Sequence, residues 1–308
     1  MTLYFAPLEG VTDAVFRRIH HECFPGVSKY FIPFISPTQN LAFTSRDWAA
    51  IAPENNIGVP AVPQLLAKDA ALFLWAAQAL CDMGYPEVNL NLGCPSGTVT
   101  AKGKGSGLLA DVPALERLLD GIFEKPPIPV SIKTRIGYAR AEEWDRLLDV
   151  FARYPIHDLI IHPRTRAEFY RGTPHADAFA KAYGTLGMPL CYNGDLFSEA
   201  DCLELTRHFP NTHALMLGRG LIANPALCCG EPLTKAARLL SAYQEKYPPH
   251  VALGRMREIA KHFVCCFEAP EKPRKAIRKA GRMDAYLDAM RRLFDEHELT
   301  ENPKFMAE

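Results

Sequence analysis

The segment NLNLGCPSGTV, at residues 89–99, ends a predicted strand with a cysteine in front of a proline. Alternation along a strand places Asn89 and Asn91 on one face. The thiol of Cys94 follows them, and a thiol with a reference pKa of about 8.5 is mostly protonated at neutral pH. Apolar burial would keep it protonated. The segment therefore offers a possible general acid beside two amides. The alternative is that Cys94 is only a small buried apolar residue.

A lysine lies on another predicted strand, in VSIKTRIG, where Ser131, Lys133 and Arg135 share one face. An unpaired ammonium is costly to bury, so Lys133 needs an anionic partner. That partner is either a structural carboxylate or the N1–C2 oxygen edge of a flavin, which becomes anionic on reduction. Gln64 could hydrogen-bond the pyrimidine edge of the same ring. His162 alone is typical of a core histidine, and its position at the same rim favours a role beside the flavin.

Two glycine-bearing segments, NGDL at 193–196 and GRG at 218–220, follow the last two predicted strands. Loops after those strands of a barrel commonly bind phosphate, because small residues let backbone N–H groups approach the oxygens. GRGLIA also matches the letters G-x-G-x-x-A of a dinucleotide site, but no following strand with an acidic end is evident. A single phosphate, such as that of FMN, fits this context better.

Eight short β-rich runs recur along the chain, with helical patterns between most of them. This order predicts an α/β fold with parallel strands and crossover connections. Eight such units in about 225 residues fit a (β/α)₈ TIM barrel, and an open doubly wound sheet is the competing interpretation. The predicted strands are residues 3–8, 29–35, 61–66, 87–92, 129–136, 158–162, 189–193 and 214–218.

Polar groups favour the barrel over the open sheet. The site of an open sheet gathers at one switch point, whereas a closed barrel collects side chains from nearly all of its strands at the carboxyl end. Here chemically useful groups follow nearly every predicted strand. They are Glu9, Gln64, Asn89, Asn91, Cys94, Lys133, Arg135, His162, Arg164, Asn193, Asp195, Gly218 and Arg219.

The chain changes character after the eighth strand, because its pattern becomes helical only. We therefore predict a barrel domain at 1–230 and a small all-helical domain at 231–308. Within the latter, KPRKAIRKAGR at 272–282 contains no acidic residue. Its basic face is either merely solvated or a contact for a phosphate backbone. The residues that would share this face through helical spacing are Lys275, Arg278, Lys279 and Arg282.

Composition bounds the class of protein. The formal net charge is zero, so a polyanionic partner must be held by a local patch. The nine cysteines contain no C-x-x-C pair, which predicts reduced thiols in a cytoplasmic protein and no zinc site. No apolar run approaches the roughly 18 residues of a membrane span. The first residues, MTLYFAPLEG, lack the layout of a signal peptide.

Taken together, the motifs resemble the tRNA-dihydrouridine synthases. The resemblance implies an FMN-bound barrel that reduces the C5–C6 double bond of particular uridines in tRNA, with NADPH as hydride donor. It leaves open which uridines these are. The matching segments are APLEGVTD (6–13), QLL (64–66), NLNLGCPS (89–96), KGKGSGLL (102–109), IKTRIG (132–137), IHPRTR (161–166), YNGD (192–195) and LGRGLIANP (217–225).

The resemblance also implies residue roles. Cys94 would donate a proton to C5 of the uracil, after hydride transfer from flavin N5 to C6, and Asn91 would hold the base. FMN would contact Ala6, Pro7, Leu8, Gln64, Lys133, His162, Asn193, Gly194, Asp195, Gly218 and Arg219. RNA would contact Arg135, Arg164, Arg166, Lys275, Arg278, Lys279 and Arg282. Pro163 stands where many members of the family have glycine. Proline has no backbone N–H, so the backbone at strand six is expected to differ from the family's pattern.

Two rival functions remain at this point. One is a dihydroorotate-dehydrogenase-like FMN oxidoreductase that acts on a free pyrimidine. The other is a non-catalytic RNA-binding barrel. The basic helical segment favours RNA over a free pyrimidine, and the set of Cys94, Lys133 and His162 favours an enzyme. We expect a monomeric protein with tRNA and NADPH as partners and no membrane association.

Overall fold

The structure is a computed structural model that describes residues 1–231 and 233–300. Eight parallel strands close into a barrel in chain order, with β8 paired to β1. The predicted TIM barrel is confirmed, and each observed strand lies within a predicted run or overlaps it. The strands are β1 Leu3–Phe5, β2 Val27–Ile35, β3 Ala61–Leu65, β4 Val88–Leu92, β5 Val130–Arg135, β6 Leu159–His162, β7 Leu190–Tyr192 and β8 Ala214–Leu217.

Alternation along the strands produces two different cores. Side chains that face the helices join one large apolar cluster, as expected for strands covered on their outer face. Side chains that face the barrel axis form a smaller apolar cluster of Tyr4, Ala6, Phe31, Val62, Ile160, Cys191, Ala214 and Met216. The polar residues of β3 to β6 share this inward face, so they rise from the barrel interior toward its carboxyl end.

Several helices around the barrel begin at side-chain caps that the sequence carries. Asp69, Asp111 and Ser198 each accept a backbone N–H of the first turn. The helices of this part are α1 Ala14–Cys23, α2 Ser45–Ile51, α3 Ala70–Asp82, α4 Gly97–Thr100, α5 Val112–Glu124, α6 Trp144–Phe151, α7 Ala176–Thr185, α8 Glu199–His208 and α9 Arg219–Ala223. No helix among the described residues is both long enough and apolar enough to cross a membrane.

Four further helices follow β8 and α9: α10 Ala236–Lys246, α11 Pro249–Phe263, α12 Glu271–Lys279 and α13 Met283–Glu296. They pack beside the start of the barrel chain. Tyr243 Oη donates to Asp13 Oδ1 at 2.9 Å, and Arg255 Nη1 donates to Gly10 O at 2.7 Å. The division into domains at 1–230 and 231–308 stays a prediction, and its last eight residues lie outside the described part of the chain.

The basic segment does not form one continuous helix. α12 ends at Lys279, and Arg282 is the N-cap residue of α13, where it pairs with Asp284 at 2.8 Å. The expectation that Arg282 shares a helix face with Lys275, Arg278 and Lys279 is therefore wrong, because the helix stops three residues before it.

Candidate active site

A cavity of about 800 Å³ opens at the carboxyl end of the barrel. Much of the predicted site lies on its wall, including the thiol and the lysine that the sequence singled out. Among the described residues, Ala6 and the 193–195 and Gly218 positions do not line it. The predicted residues on the wall are Pro7, Leu8, Gln64, Asn91, Cys94, Lys133, Arg135, His162 and Arg219.

Asn91 holds the turn that carries Cys94. Its Oδ1 accepts the backbone N–H of Gly93 at 3.0 Å and of Cys94 at 2.9 Å. Its Nδ2 donates to Gln64 Oε1 at 2.7 Å, and Gln64 Nε2 donates to Asn89 Oδ1 at 2.7 Å. The amides on this strand face therefore form a chain that fixes the turn, and they leave Asn91 with one N–H for a bound molecule.

The Cys94 thiol is held protonated. Burial raises its pKa, against smaller lowering effects from the Ser96 N–H and from the charges of Arg135 and Lys133. The backbone carbonyl of Cys94 accepts hydrogen bonds from Ser106 N at 3.2 Å and Ser106 Oγ at 2.7 Å. A neutral thiol on a braced turn at the cavity wall can act as a proton donor.

Arg135 and Arg166 brace the same turn. Arg135 Nε donates to Gly93 O at 2.9 Å, and its Nη1 donates to two carbonyls in the loop after β6. Arg166 Nε donates to Pro95 O at 3.2 Å. These bonds give both arginines a positioning task around Cys94, whereas the sequence analysis assigned them to RNA. Arg135 is only 1% exposed, so its side chain borders the cavity and does not reach the outer surface of the protein.

Arg164 is fully buried, which corrects its expected approach to RNA. Its Nη1 and Nη2 pair with the two oxygens of Asp195 at 2.9 and 2.5 Å. Nη1 also lies 3.2 Å from His162 Nε2. A guanidinium can only donate, so Nε2 accepts and the imidazole proton sits on Nδ1. Burial, followed by the charges of Arg135 and Lys133, lowers the pKa of His162 well below its usual range, and the ring is neutral.

Asp195 organises a second arginine as well. Its Oδ1 accepts from Arg219 Nη2 at 2.8 Å. One carboxylate therefore holds Arg164 and Arg219 together, and one positive charge of the three groups stays uncompensated. Since Arg219 lines the cavity, that surplus charge is available to an anion bound there. Asp195 acts by positioning Arg219.

The loops after β7 and β8 pack closely against each other. A Cβ at Gly220, after β8, would lie 2.3 Å from Leu196 O, after β7; within the segment after β7, a Cβ at Gly194 would lie 2.3 Å from the Tyr192 hydroxyl oxygen. Asn193 Nδ2 donates to a carbonyl of β8 at 2.8 Å. Only glycine permits this approach, so the two segments singled out in the sequence form one unit behind Arg219.

The apolar rim comes from the chain that follows β1. Ala6 N donates to Leu217 O at 2.8 Å and ties this segment to β8. A Cβ at Gly218 would lie 3.4 Å from Ala6 Cβ and 3.5 Å from Leu8 Cδ1, so the segments are in tight contact. Leu8 lines the cavity and packs on the inner apolar cluster.

Lys133 lines the cavity without a protein partner. Within residues 1–231 and 233–300, its Nζ makes no hydrogen bond and no ion pair. Burial lowers its pKa to about 7, and the charge of Arg135 contributes in the same direction. An ammonium in this position is stabilised by an anionic group in the cavity. The structure therefore favours a bound anion over the structural carboxylate that the sequence left as an alternative.

β6 ends one residue before Pro163, so the missing proline N–H costs no bond of the strand ladder. The sequence analysis missed two parts of the wall beyond this strand. One is the loop with Phe169, Tyr170 and Arg171, whose aromatic pair was a usable signal. The other comes from the C-terminal helices and includes Glu258, Lys261, His262, Cys265 and Arg274. No sequence pattern joins these helices to the barrel mouth.

Comparisons with known proteins bear on this geometry. The model of the family described as dihydrouridine synthase (Dus) matches residues 4–287. A tRNA-dihydrouridine synthase B of Pasteurella multocida (strain Pm70) is 29% identical over 73% of this chain and 67% of its own length. A tRNA-dihydrouridine(16) synthase of Aquipseudomonas alcaligenes is 27% identical over 84% of this chain and 89% of its own.

Solved structures resemble the chain in fold. A morphinone reductase structure superposes with a TM-score of 0.51 and 11% identity, over 77% of this chain and 86% of that one. At this identity the likeness concerns the fold alone.

Proposed function

The chain belongs to the dihydrouridine synthase family, and we infer that it is a tRNA-dihydrouridine synthase. The family match over nearly the whole chain carries this conclusion. The cavity supports it, because a protonated thiol and an unpartnered lysine lie on the wall of one space large enough for a ring system and a base. We further propose that residues 1–230 perform the reduction and that residues 231–308 help to bind tRNA.

The residues present fit FMN. Lys133 has no protein partner and would pair with an anionic flavin edge, while the surplus charge at Arg219 would meet the phosphate. Pro7 and Leu8 would contact the ring, and the Nδ1 proton of His162 would be offered to an acceptor. FMN, when bound, supplies the hydride that reduces C6 of the uracil. The choice of NADPH as its reductant rests on the resemblance alone.

Cys94 would complete the reduction by giving its proton to C5. Asn91 supports this role in two ways: it fixes the backbone of the Cys94 turn, and its remaining N–H can orient the uracil edge. Arg135 and Arg166 hold the same turn from the other side. The protonated thiol must be regenerated from solvent after each turnover.

A uridine inside folded tRNA must leave its stack to reach this cavity. Extraction costs a few kcal/mol, which contacts to the RNA backbone must offset. Lys275, Arg278 and Lys279 lie exposed on α12, and we propose them as phosphate contacts. A tRNA substrate and nine free thiols support a cytoplasmic location. The monomeric state stays a prediction.

The test is the Cys94→Ala variant. It should bind FMN and accept electrons from NADPH like the wild type, yet lose dihydrouridine formation by about 100-fold or more, because a general acid contributes about that factor. Dihydrouridine is measured by mass spectrometry of tRNA from a strain that lacks the protein, after incubation with each variant. Cys81→Ala, which removes a thiol on α3 away from the cavity, is the control.

Two outcomes would overturn the proposal. Wild-type turnover by Cys94→Ala would remove the proton-donor role. Oxidation or reduction of a free pyrimidine such as orotate, with no product in tRNA, would favour the dihydroorotate-dehydrogenase-like alternative. A purified protein that binds RNA but cannot take up FMN would instead favour the non-catalytic barrel.

A further inference from the structure

Three lysines lie on two loops at the carboxyl end of the barrel, near Cys94. Lys68 follows β3, and Lys102 and Lys104 lie in the loop between α4 and the next turn. Lys104 Nζ donates to Ser36 Oγ at 2.6 Å, which draws it toward the end of β2. A Cβ at Gly103 would lie 3.9 Å from Lys68 Cδ, so the two loops are in contact. Three ammonium groups from two loops therefore share one patch, which we call the lysine patch.

The lysine patch has no carboxylate partner among residues 1–231 and 233–300. Elsewhere Lys29 pairs with Glu87 and Lys181 pairs with Asp145, each at 2.5 Å. The members of the patch instead repel one another. Burial is the largest cause that lowers the pKa of Lys104, and the charges of Lys102 and Lys68 lower it further. Three unpaired like charges held together are stabilised by an anion with several oxygens.

The lysine patch is fixed relative to the thiol. Gly105 directly follows Lys104, and a Cβ there would lie 3.2 Å from both Cys94 Cβ and Cys94 O. Ser106, the next residue, donates two hydrogen bonds to Cys94 O. The backbone φ of Gly105 is 57°, a left-handed conformation that glycine adopts without strain. An anion on the lysine patch therefore lies at a set distance from a base in the cavity.

The lysine patch also lies across the mouth from the C-terminal helices. In a closed ring of eight strands, β4 is opposite β8. α11 contacts α9, which follows β8, and Arg255 binds Gly10, which follows β1. The wall residues Lys261 and Arg274 thus bound the mouth on one side, and the lysine patch bounds it on the other.

We propose that Lys68, Lys102 and Lys104 bind the backbone phosphates that flank the extracted uridine. A base turned into the cavity leaves its own phosphates at the rim, and the RNA strand must cross the mouth between the two basic sides. Lysines act on phosphate as point charges and read no sequence, so this contact holds any target uridine in place over Cys94. The inference rests on the proposed function.

The test compares two triple variants with equal charge change. Lys68→Gln with Lys102→Gln and Lys104→Gln removes the lysine patch; Arg117→Gln with Lys125→Gln and Lys181→Gln removes exposed charges on the outer helices. Affinity for a tRNA transcript is measured over a range of salt. Each lost phosphate contact lowers the magnitude of the slope of log K against log salt by about 0.7–0.9, so the patch variant should lose about 2 to 3 and the control none.

A second measurement locates the contact. Ethylation of the phosphates next to the target uridine should weaken binding to the wild type and leave binding to the patch variant unchanged. FMN content and flavin reduction by NADPH in the absence of RNA should be the same in both triple variants.

The outcomes separate this inference from the proposed function. If the wild type forms dihydrouridine but the patch variant keeps wild-type affinity and salt slope, the inference is wrong while the function stands. If the patch variant instead slows flavin reduction by NADPH with unchanged tRNA affinity, the lysines bind the phosphates of the donor, and the inference is again wrong. A wild type that neither binds nor modifies tRNA would remove the function itself.

Discussion

At the scale of single residues, Lys133 links the cavity to pH. Its pKa of about 7 in the free protein means that part of the lysine population is uncharged at neutral pH. The N1–C2 oxygen edge of FMN accepts hydrogen bonds when oxidised and is anionic when reduced, so in either form it would favour the ammonium and raise this pKa, and binding would take up a proton. The charged form binds better, and binding is therefore strongest below the pKa of the free protein.

We predict that the affinity for FMN falls as pH rises above about 7, by up to about tenfold per pH unit. Lys133→Met should weaken binding at about pH 7 and remove this dependence, while Lys125→Met, an exposed control, should change neither. Quenching of flavin fluorescence on titration of the apoprotein measures the affinity. A wild-type affinity that stays constant from about pH 7 to about pH 9 would contradict the assigned role.

Residue types that do chemistry could be found from the sequence, but their partners could not. Lys133 and His162 lie on the cavity wall because strand alternation decides which way they point, and Cys94 lies there because Asn91 fixes the turn after β4. The resemblance assigned Arg135, Arg164 and Arg166 to RNA. In the structure they contact carbonyls and a carboxylate from other strands and loops, and the sequence alone does not reveal these contacts.

At the scale of elements, close approach of the loops after β7 and β8 determines the phosphate end of the site. A Cβ at Gly220 would lie 2.3 Å from Leu196 O. Because this oxygen belongs to the backbone, it cannot move away by a change of rotamer. Gly254 provides the contrast, since it lies exposed in the middle of α11 with nothing within 4 Å of an added Cβ.

We predict that Gly220→Ala lowers the free energy of unfolding by about 3 kcal/mol or more, because one loop must move away from the other. FMN retention should fall with it. Gly254→Ala should raise the free energy of unfolding by about 0.5–1 kcal/mol, since alanine is favoured over glycine inside a helix. Urea unfolding of both variants, with FMN content read from absorbance, measures these effects. Equal stabilities of the two variants would contradict the close packing.

Helices and strands whose apolar residues recur at a regular spacing could be predicted from the sequence, whereas the residues at which they end were harder to predict. All eight strands were found because buried parallel strands are short apolar runs between turn residues. The run at 272–282 looked like one helix because its spacing is helical throughout. The chain leaves the helix at Ala280, whose extended backbone and the following Gly281 allow a second helix to begin at Met283.

At the scale of the whole molecule, the floor of the barrel contains an acid that the reaction does not use. Asp158 is buried near Tyr4, Lys29 and Glu87, and burial raises its pKa to about 7 from an ordinary value of 3.8. The folded protein therefore keeps a proton that the unfolded chain releases between those two values. Stability from this group is complete below about pH 4, falls as pH rises to about 7, and is constant above.

We predict that Asp158→Asn becomes more favourable with rising pH. Relative to the wild type, its free energy of unfolding should increase by roughly 2 to 3 kcal/mol between about pH 5 and about pH 8. Asp149→Asn, an exposed substitution on α6, should show no such trend. Denaturant unfolding at the two pH values measures both, and a parallel response of the two variants would contradict the raised pKa.

The attachment of the C-terminal helices has a consequence for communication across the enzyme. Asp13 and Gly10, which anchor Tyr243 and Arg255, belong to the same short stretch of chain as Pro7 and Leu8 at the cavity rim. A tilt of those helices would reach, through about five residues, the surface against which the cofactor would rest. If the helices bind the nucleic acid as proposed, we expect its binding and the binding of the cofactor to be coupled, so that each changes the affinity for the other by the same factor.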